Sequence, residues 1–355
     1  MALVSTDSFD TYNGTGTNTG VQAKWTNTGG VTNTSLTSGR FGGQALRMNY
    51  TTGIPGQWYI RSFSANRASF AVGGAIRFSS VGNLQTTSGG AATIMFLGGG
   101  IGQFGLLFNS SGQIVAVRSG IGVQTPTVIG SSATGVVAAN TYYFMEVEAT
   151  ISGTTGTITV YLDGVAKLTL TSINNKNNGS SAGVDQIGIV RPLGSSTSET
   201  FDFDDFYEAD TNTRIGLGRV EVIRASADVA QGWTRSAGAV NYSLTNETLV
   251  DGDTTYVQAS SVGDVDTYDF GALSSTPATI YGVQMVVFAE KTDATARSIA
   301  LQAKSGATTS DGPDYVLTSL SYGRHERMMT VDPNTSAAWA ASAVEAIRGG
   351  PKVTV

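Results

Sequence analysis

The chain has 355 residues, of which 40% are hydrophobic and 14% charged, with 45 glycines, no cysteine and a formal net charge of -6. This length suffices for two domains of ordinary size, and 9% aromatic content is not that of a disordered chain. The acidic balance argues against a nucleic-acid partner, which needs a basic face, and the lack of cysteine excludes disulfide and thiolate chemistry.

Short segments joined by Gly, Ser, Thr and Asn turns predict an all-β chain. The start, Met1-Ala-Leu-Val4, has neither the basic nor the apolar segment of a secretory signal, so no signal peptide is expected, and a secreted destination would need another route, such as release by cell lysis. Phe9, Tyr12 and Trp25 anchor the first strands, and Ser38 to Met48 reads as a Gly-rich turn feeding a strand. Trp58 to Ile60 and Phe70 to Phe78 continue the rhythm. The uncharged run Ala91 to Phe108 has the length of a membrane span, but Gly98, Gly99, Gly100, Gly102 and Gly105 interrupt it. It reads as two buried strands, Thr93 to Leu97 and Phe104 to Phe108, with no membrane insertion expected. Gln113 to Arg118 is the next strand.

Tyr142 to Asp163 gives the clearest hairpin. Tyr143, Met145, Val147, Ala149 and Ile151 fall on one face and Phe144, Glu146, Glu148 and Thr150 on the other, which predicts an antiparallel sheet with one wet face. Asp163-Gly164 marks a tight turn into Ala166 to Thr171. Ser172 to Ala182 reads as an exposed loop, Val184 to Val190 as a strand, and Phe201 to Ala209 as the strand that closes the first domain. In that last strand strict alternation would bury the Asp205 charge beside Phe201, Phe203 and Tyr207. A bulge at Asp204-Asp205, or backbone N–H donors to Asp205, must relieve this.

The resulting division is 1–210 for a first sandwich, 211–218 for a linker and 219–355 for a second sandwich. Val220 to Ile223, Thr267 to Phe270, Ile280 to Ala289, Ser298 to Ala303 and Arg327 to Val331 are its expected strands, with Ile280 to Phe288 and Ser298 to Ala303 the best pair. One helix is predicted from Ser336 to Arg348, with Trp339, Ala343 and Ile347 on one face and Gly349, Gly350 and Pro351 ending it.

Several residues could carry chemistry. Gly100-Ile-Gly-Gln-Phe-Gly105 matches a dinucleotide fingerprint but leads into a strand rather than a helix, so no cofactor is expected. Asp202, Asp204 and Asp205, Asp251 and Asp253, and Asp264, Asp266 and Asp269 could each contribute oxygens to Ca²⁺, but none has EF-hand spacing, and no metal site is assigned. His325, the one histidine, stands in what reads as an exposed turn without a nucleophile partner. Trp25, Trp58, Tyr59 and Trp233 could stack on sugars but equally suit a core. No catalytic residue is assigned, and binding residues stay open.

Phe41-Gly-Gly-Gln-Ala-Leu-Arg47, Tyr142-Tyr-Phe-Met-Glu-Val-Glu148, Thr157 to Gly164 and Phe203-Asp-Asp-Phe-Tyr207 resemble the concanavalin A-like (laminin G-like) lectin/glucanase sandwich. Trp233 to Gly238, Asp253 to Val257 and Asp332 to Ala340 resemble the module that follows it in tailed-bacteriophage virion proteins. The resemblance implies two tandem antiparallel β-sandwiches, the first a jelly roll, with one short helix near the C-terminus. It implies a non-enzymatic virion component, a tail-associated, fibre, spike or capsid-surface protein. Such a protein is made in bacterial cytoplasm and carried in the particle. Its partners would be other virion proteins, sister copies in a symmetric homo-oligomer (a trimer is the working expectation) and a host-surface glycan. Two other readings stay open: a polysaccharide hydrolase using Glu146 and Glu148, and a secreted carbohydrate-binding module. Retaining glycosidases hold two carboxyls about 5–5.5 Å apart. The glucanases of this fold carry three alternating acids, however, and Thr150 stands where one belongs, so solvated glutamates are the plainer reading.

Overall fold

The structure, a computed structural model, describes residues 3–12, 21–28, 34–49, 58–81, 93–118, 126–177, 179–190, 199–248, 250–318 and 321–355. The chain divides into two compact units, Met1–Val220 and Glu221–Val355.

The strands of the first unit are β1 (Leu3–Asp7), β2 (Thr26–Thr28), β3 (Thr34–Ser38), β4 (Gln44–Asn49), β5 (Trp58–Arg67), β6 (Ser69–Phe78), β7 (Ile94–Gly98), β8 (Ile101–Phe108), β9 (Ile114–Arg118), β10 (Thr127–Ser131), β11 (Tyr143–Thr150), β12 (Gly156–Leu162), β13 (Val165–Ile173), β14 (Val184–Val190) and β15 (Thr200–Ala209). They form two antiparallel sheets. Sheet I has the order β13-β12-β11-β6-β15-β4-β3, with β1 also on β15, and sheet II has the order β10-β9-β8-β7-β14-β5-β2. Alternate residues of both sheets meet in one core: Phe70, Val72, Ile76, Met145, Val147, Phe201 and Phe203 from sheet I pack with Ile94, Phe96, Phe104, Leu106, Ile187 and Ile189 from sheet II. This is a β-sandwich held by interdigitated inner faces.

Turn chemistry sets the registers. Gly99 and Gly100, at φ 60° and 77°, close the β7–β8 hairpin, where Gly98 faces Ile101. Asp163 and Gly164, at φ 49° and 79°, close β12–β13 in the same way. Both are two-residue turns that need positive φ. The fingerprint-like glycines thus lie in a hairpin. The stretch after β13, expected as an exposed loop, holds one fully buried side chain, Asn175. It bonds the carbonyls of Thr150 and Thr157 and the Ser152 N–H.

In β15 both expected reliefs occur. Asp204 faces Ala75 and Tyr207 faces Gly73, so β15 spends one residue more than β6 between those pairs, and Asp205 takes φ 50°. Phe206 then faces the core while Tyr207 turns outward. Asp205 also accepts the Val220 N–H at 2.8 Å.

The second unit adds β16 (Ala225–Gln231), β17 (Thr234–Arg235), β18 (Val257–Gln258), β19 (Asp266–Phe270), β20 (Val283–Ala289), β21 (Ser298–Ser305), β22 (Thr308–Val316), β23 (Gly323–Met329) and β24 (Arg348–Val353). A five-stranded sheet β16-β19-β24-β21-β22 is accompanied by the ribbons β17–β18 and β20–β23. Three expectations are corrected here. Residues 220–223 form no strand. β20 and β21, consecutive and expected to pair, lie in different sheets, because β20 pairs with β23 and β21 with β22 and β24. The helix is only α1 (Ala341–Glu345). Ala340 is extended, at φ -88° and ψ 149°, and Gly349, Gly350 and Pro351 belong to β24, between β19 and β21. A Cβ on Gly350 would overlap the Asp266 carbonyl, so these glycines admit a close strand rather than stop a helix. Trp339 and Ile347 still pack together with Val344 and Met329, from either side of the short helix.

Candidate functional site

The two outer faces of the first unit differ in kind. Sheet II turns Ile60, Met95, Leu97, Leu107, Val115, Val117 and Val190 outward, and all are buried. Apolar side chains offer a sugar none of the polar groups that fix its hydroxyls. The outer face of sheet I is polar, and it holds the paired glutamates.

Glu146 and Glu148 project from β11 two residues apart, opposite Tyr161 and Thr159 of β12. Here the expectation of a solvated pair is corrected, because Glu146 is fully buried. Its Oε1 accepts from the Tyr207 hydroxyl at 2.7 Å and the Gly216 N–H at 2.8 Å, and its Oε2 from Arg214 Nη1 at 2.9 Å. Glu148, half-buried, accepts from the Tyr161 hydroxyl at 2.9 Å and the Arg214 N–H at 3.2 Å. Every oxygen of the pair is engaged. Burial comes first among the causes that push the Tyr207 phenol up, with the Glu146 charge next, so it stays a donor.

The cover over Glu146 is residues 211–220, of which 211–218 are the expected linker. It lies as a strap on the outer face of sheet I. Arg214 stacks 4.1 Å from the Tyr161 ring, Gly218 O accepts from Arg40 Nη1 at 3.1 Å, and Val220 donates to Asp205. A glycine makes this possible. Gly73 faces Glu146 across β11–β6 and Tyr207 across β6–β15, and a Cβ there would overlap the Tyr207 ring. The ring therefore lies over β6 and reaches Glu146.

At the strap's far end Asp204 accepts the Arg40 and Asp205 N–H groups at 2.8 and 2.7 Å. Burial and the neighbouring Asp205 charge push the Asp204 carboxyl up to about 8. Burial pushes Asp205 up to about 6 against the opposing Val220 N–H and the Arg40 charge. Arg40 Nη1 stands 3.8 Å from Asp205 Oδ2.

Farther along the same face Asp202 is gripped from both sides. Arg47 of β4 donates from Nε at 2.6 Å and Nη2 at 2.9 Å, and Arg77 of β6 from Nε at 2.8 Å and Nη2 at 2.6 Å. Register dictates this, since Asp202 faces Arg47 on one side and Arg77 on the other. The Arg77 guanidinium lies 4.4 Å from the Tyr142 ring.

The remaining candidates fall apart. Among the described residues, no three His, Cys, Asp or Glu side chains are grouped to hold a metal ion. Asp251 bonds Thr255, Asp253 the Tyr322 hydroxyl, Asp264 the Ser261 N–H and Asp269 Arg348. Asp266 is buried and accepts from Trp233 N, Asn241 Nδ2 and the Tyr268 hydroxyl. His325 lies in strand β23 rather than an exposed turn. It is half-buried opposite Val287, and burial holds its imidazole below the ordinary value. Trp25 and Tyr59 are core residues, with Trp25 Nε1 donating to the buried Asp7 at 2.8 Å. Trp233 is half-buried, its Nε1 donating to Asp264 O at 3.3 Å, and the Trp58 side chain lies outside the described residues.

No model of a known protein family and no curated protein sequence matches the chain. Solved structures similar to it include the cellulose-induced protein Cip1, at 16% identity and TM-score 0.41, covering 56% of this chain and 95% of that one. The family GH16 endo-β-1,3(4)-glucanase SCLam matches at 11% identity and TM-score 0.36, covering 58% and 89%. A carbohydrate esterase of the Shiga toxin-encoding bacteriophage phi24B matches at 10% identity and TM-score 0.36, covering 58% and 100%. Likenesses at this level carry no reading of function. The all-β architecture, with two packed sheets in the first unit, stands on the strand pairing itself.

Proposed function

We propose that the chain is a non-enzymatic structural component of a tailed-bacteriophage virion, with a first unit that recognises host-surface glycans. The observation that carries the non-enzymatic part is the state of Glu146 and Glu148. A retaining glycosidase needs one carboxylate open to attack the sugar and a second free to donate and accept a proton. Here Glu146 is sealed under the strap, and both glutamates spend their oxygens on Tyr207, Tyr161, Arg214 and Gly216. The pair organises the scaffold. The virion part is supported by the sequence resemblance and by two β-sandwich-like units built without cysteine, whose stability comes from packing. Its partners are other virion proteins and sister copies in a closed symmetric assembly.

Mass spectrometry and a density map of purified particles test the reading. The chain is expected at a fixed copy number, and its absence from clean virions overturns the proposal. Reducing-end release from a panel of host polysaccharides is expected to be nil. Release that disappears in Glu146→Gln would replace this reading with the hydrolase.

A further inference from the structure

On the outer face of sheet I the carboxylates lie inside and the arginines outside. The side chains of Asp202 and Glu146 are 1% and 0% exposed, whereas those of Arg47, Arg77 and Arg214 are 28%, 25% and 30% exposed. Each arginine is steadied from below by a buried acid, and two also lean on an aromatic ring, Arg77 on Tyr142 and Arg214 on Tyr161. Solvent therefore meets guanidinium edges, although the chain as a whole carries -6.

The Asp202 position goes further than a sheet-stabilising pair requires. One arginine neutralises one carboxylate, but two converge here, and the cluster keeps one positive charge in excess. Both donate through Nε and Nη2, and among the described residues neither Nη1 has a partner. The two arginines stand on strands separated only by β15, two strand spacings or about 10 Å apart. Their donors are held rigid, which lowers the entropic cost of engaging a ligand. Planar guanidinium donors suit carboxylate or phosphate oxygens better than hydroxyls.

We propose that Arg47 and Arg77 form a binding site for an acidic glycan, a chain bearing carboxylate groups. This rests on the glycan-recognition reading above and names the ligand class. Arg77→Gln or Arg47→Gln leaves Asp202 one arginine partner, so the sheet keeps its ladder while the site loses its excess charge.

The test titrates the full chain by calorimetry with hexagalacturonate and with the neutral cellohexaose. The acidic hexamer is expected to bind at least tenfold more tightly. Either glutamine variant is expected to weaken it about tenfold, as loss of a charged hydrogen bond implies. Arg348→Gln, in the second unit, is expected to change nothing. Equal binding of both hexamers overturns the proposal, and so does acidic binding that survives both glutamine substitutions. A DNA duplex that competes as well as the acidic hexamer marks a general polyanion surface and overturns it too. Neutral binding untouched by the substitutions refutes the acidic site but leaves glycan recognition standing.

Discussion

The two outer faces of the first unit solve the same problem in opposite ways. Sheet II lines its outer face with apolar side chains, Met95, Leu97, Leu107, Val115 and Val117 among them, all buried. Sheet I builds a layer of buried acids, arginines and tyrosines, and a strap from the chain's own 211–220 segment completes it. Apolar burial is non-directional and tolerates shape-conserving change. A buried polar layer works only when every member keeps its partner. The difference teaches where the sandwich will be brittle.

Substitutions on the two faces should separate these cases. Among the polar positions the largest effect is expected for Asp202→Ala, which leaves Arg47 and Arg77 facing each other without their shared anion. Loss of about 3 kcal/mol is expected by chemical denaturation, at the low end for a broken buried pair because both arginines reach water. Leu97→Ala on sheet II should cost a similar 2–4 kcal/mol, roughly the range for a fully buried leucine, but with no dependence on salt. Next comes one change made on both faces. Gly73→Ala pushes the Tyr207 ring off Glu146 and is expected to cost about 2 kcal/mol. Gly188→Ala meets only ordinary contacts, Leu97 Cδ1 at 3.5 Å among them, and is expected to be neutral or to stabilise by about 0.5 kcal/mol. Equal costs for the two alanines would erase the distinction between the faces.

The pH dependence of stability sharpens the same contrast. Asp204 and Asp205 titrate higher in the fold, at about 8 and about 6, than as free carboxyls near 3.8. Between those values the native state holds more protons than the unfolded one, so stability falls as pH rises. The contribution is complete below about pH 4 and lost on passing through about 6 to about 8. Denaturation midpoints at pH 5 and pH 9 should show it, and Asp204→Asn should flatten the profile. The smallest effect is expected for the exposed Arg348–Asp269 pair in the second unit, where Asp269→Ala should cost less than about 1 kcal/mol.

What the sequence disclosed follows the range of the forces involved. Alternation in β11 and β12 was legible because Met145, Val147, Ile158 and Val160 report their own face. The difficulty at Asp205 was legible too, since a charge fell on the buried phase of β15, and the bulge and the Val220 bond both answer it. The burial of Glu146 was not legible. Its partners Tyr207, Arg214 and Gly216 lie 61 to 70 residues away, and local pattern carries no such information. Gly349-Gly350-Pro351 misled for the same reason. They look like a helix stop, and only the approach of Met285 and the Gln302 carbonyl to Gly349 and of the Asp266 backbone to Gly350 explains the glycines. Asp202 with its two arginines was visible as residues but not as a cluster, because the register of β4, β15 and β6 alone brings them together.

The central claim is that Glu146 holds the strap to the sheet. Hydrogen–deuterium exchange at the Gly216 amide tests it most directly, since that N–H donates to Glu146 at 2.8 Å. The account predicts protection comparable to the amides of β11 in the native chain, and loss of that protection in Glu146→Ala with β11 itself unchanged. Exchange of Gly216 at the rate of an open loop in the native chain would contradict it.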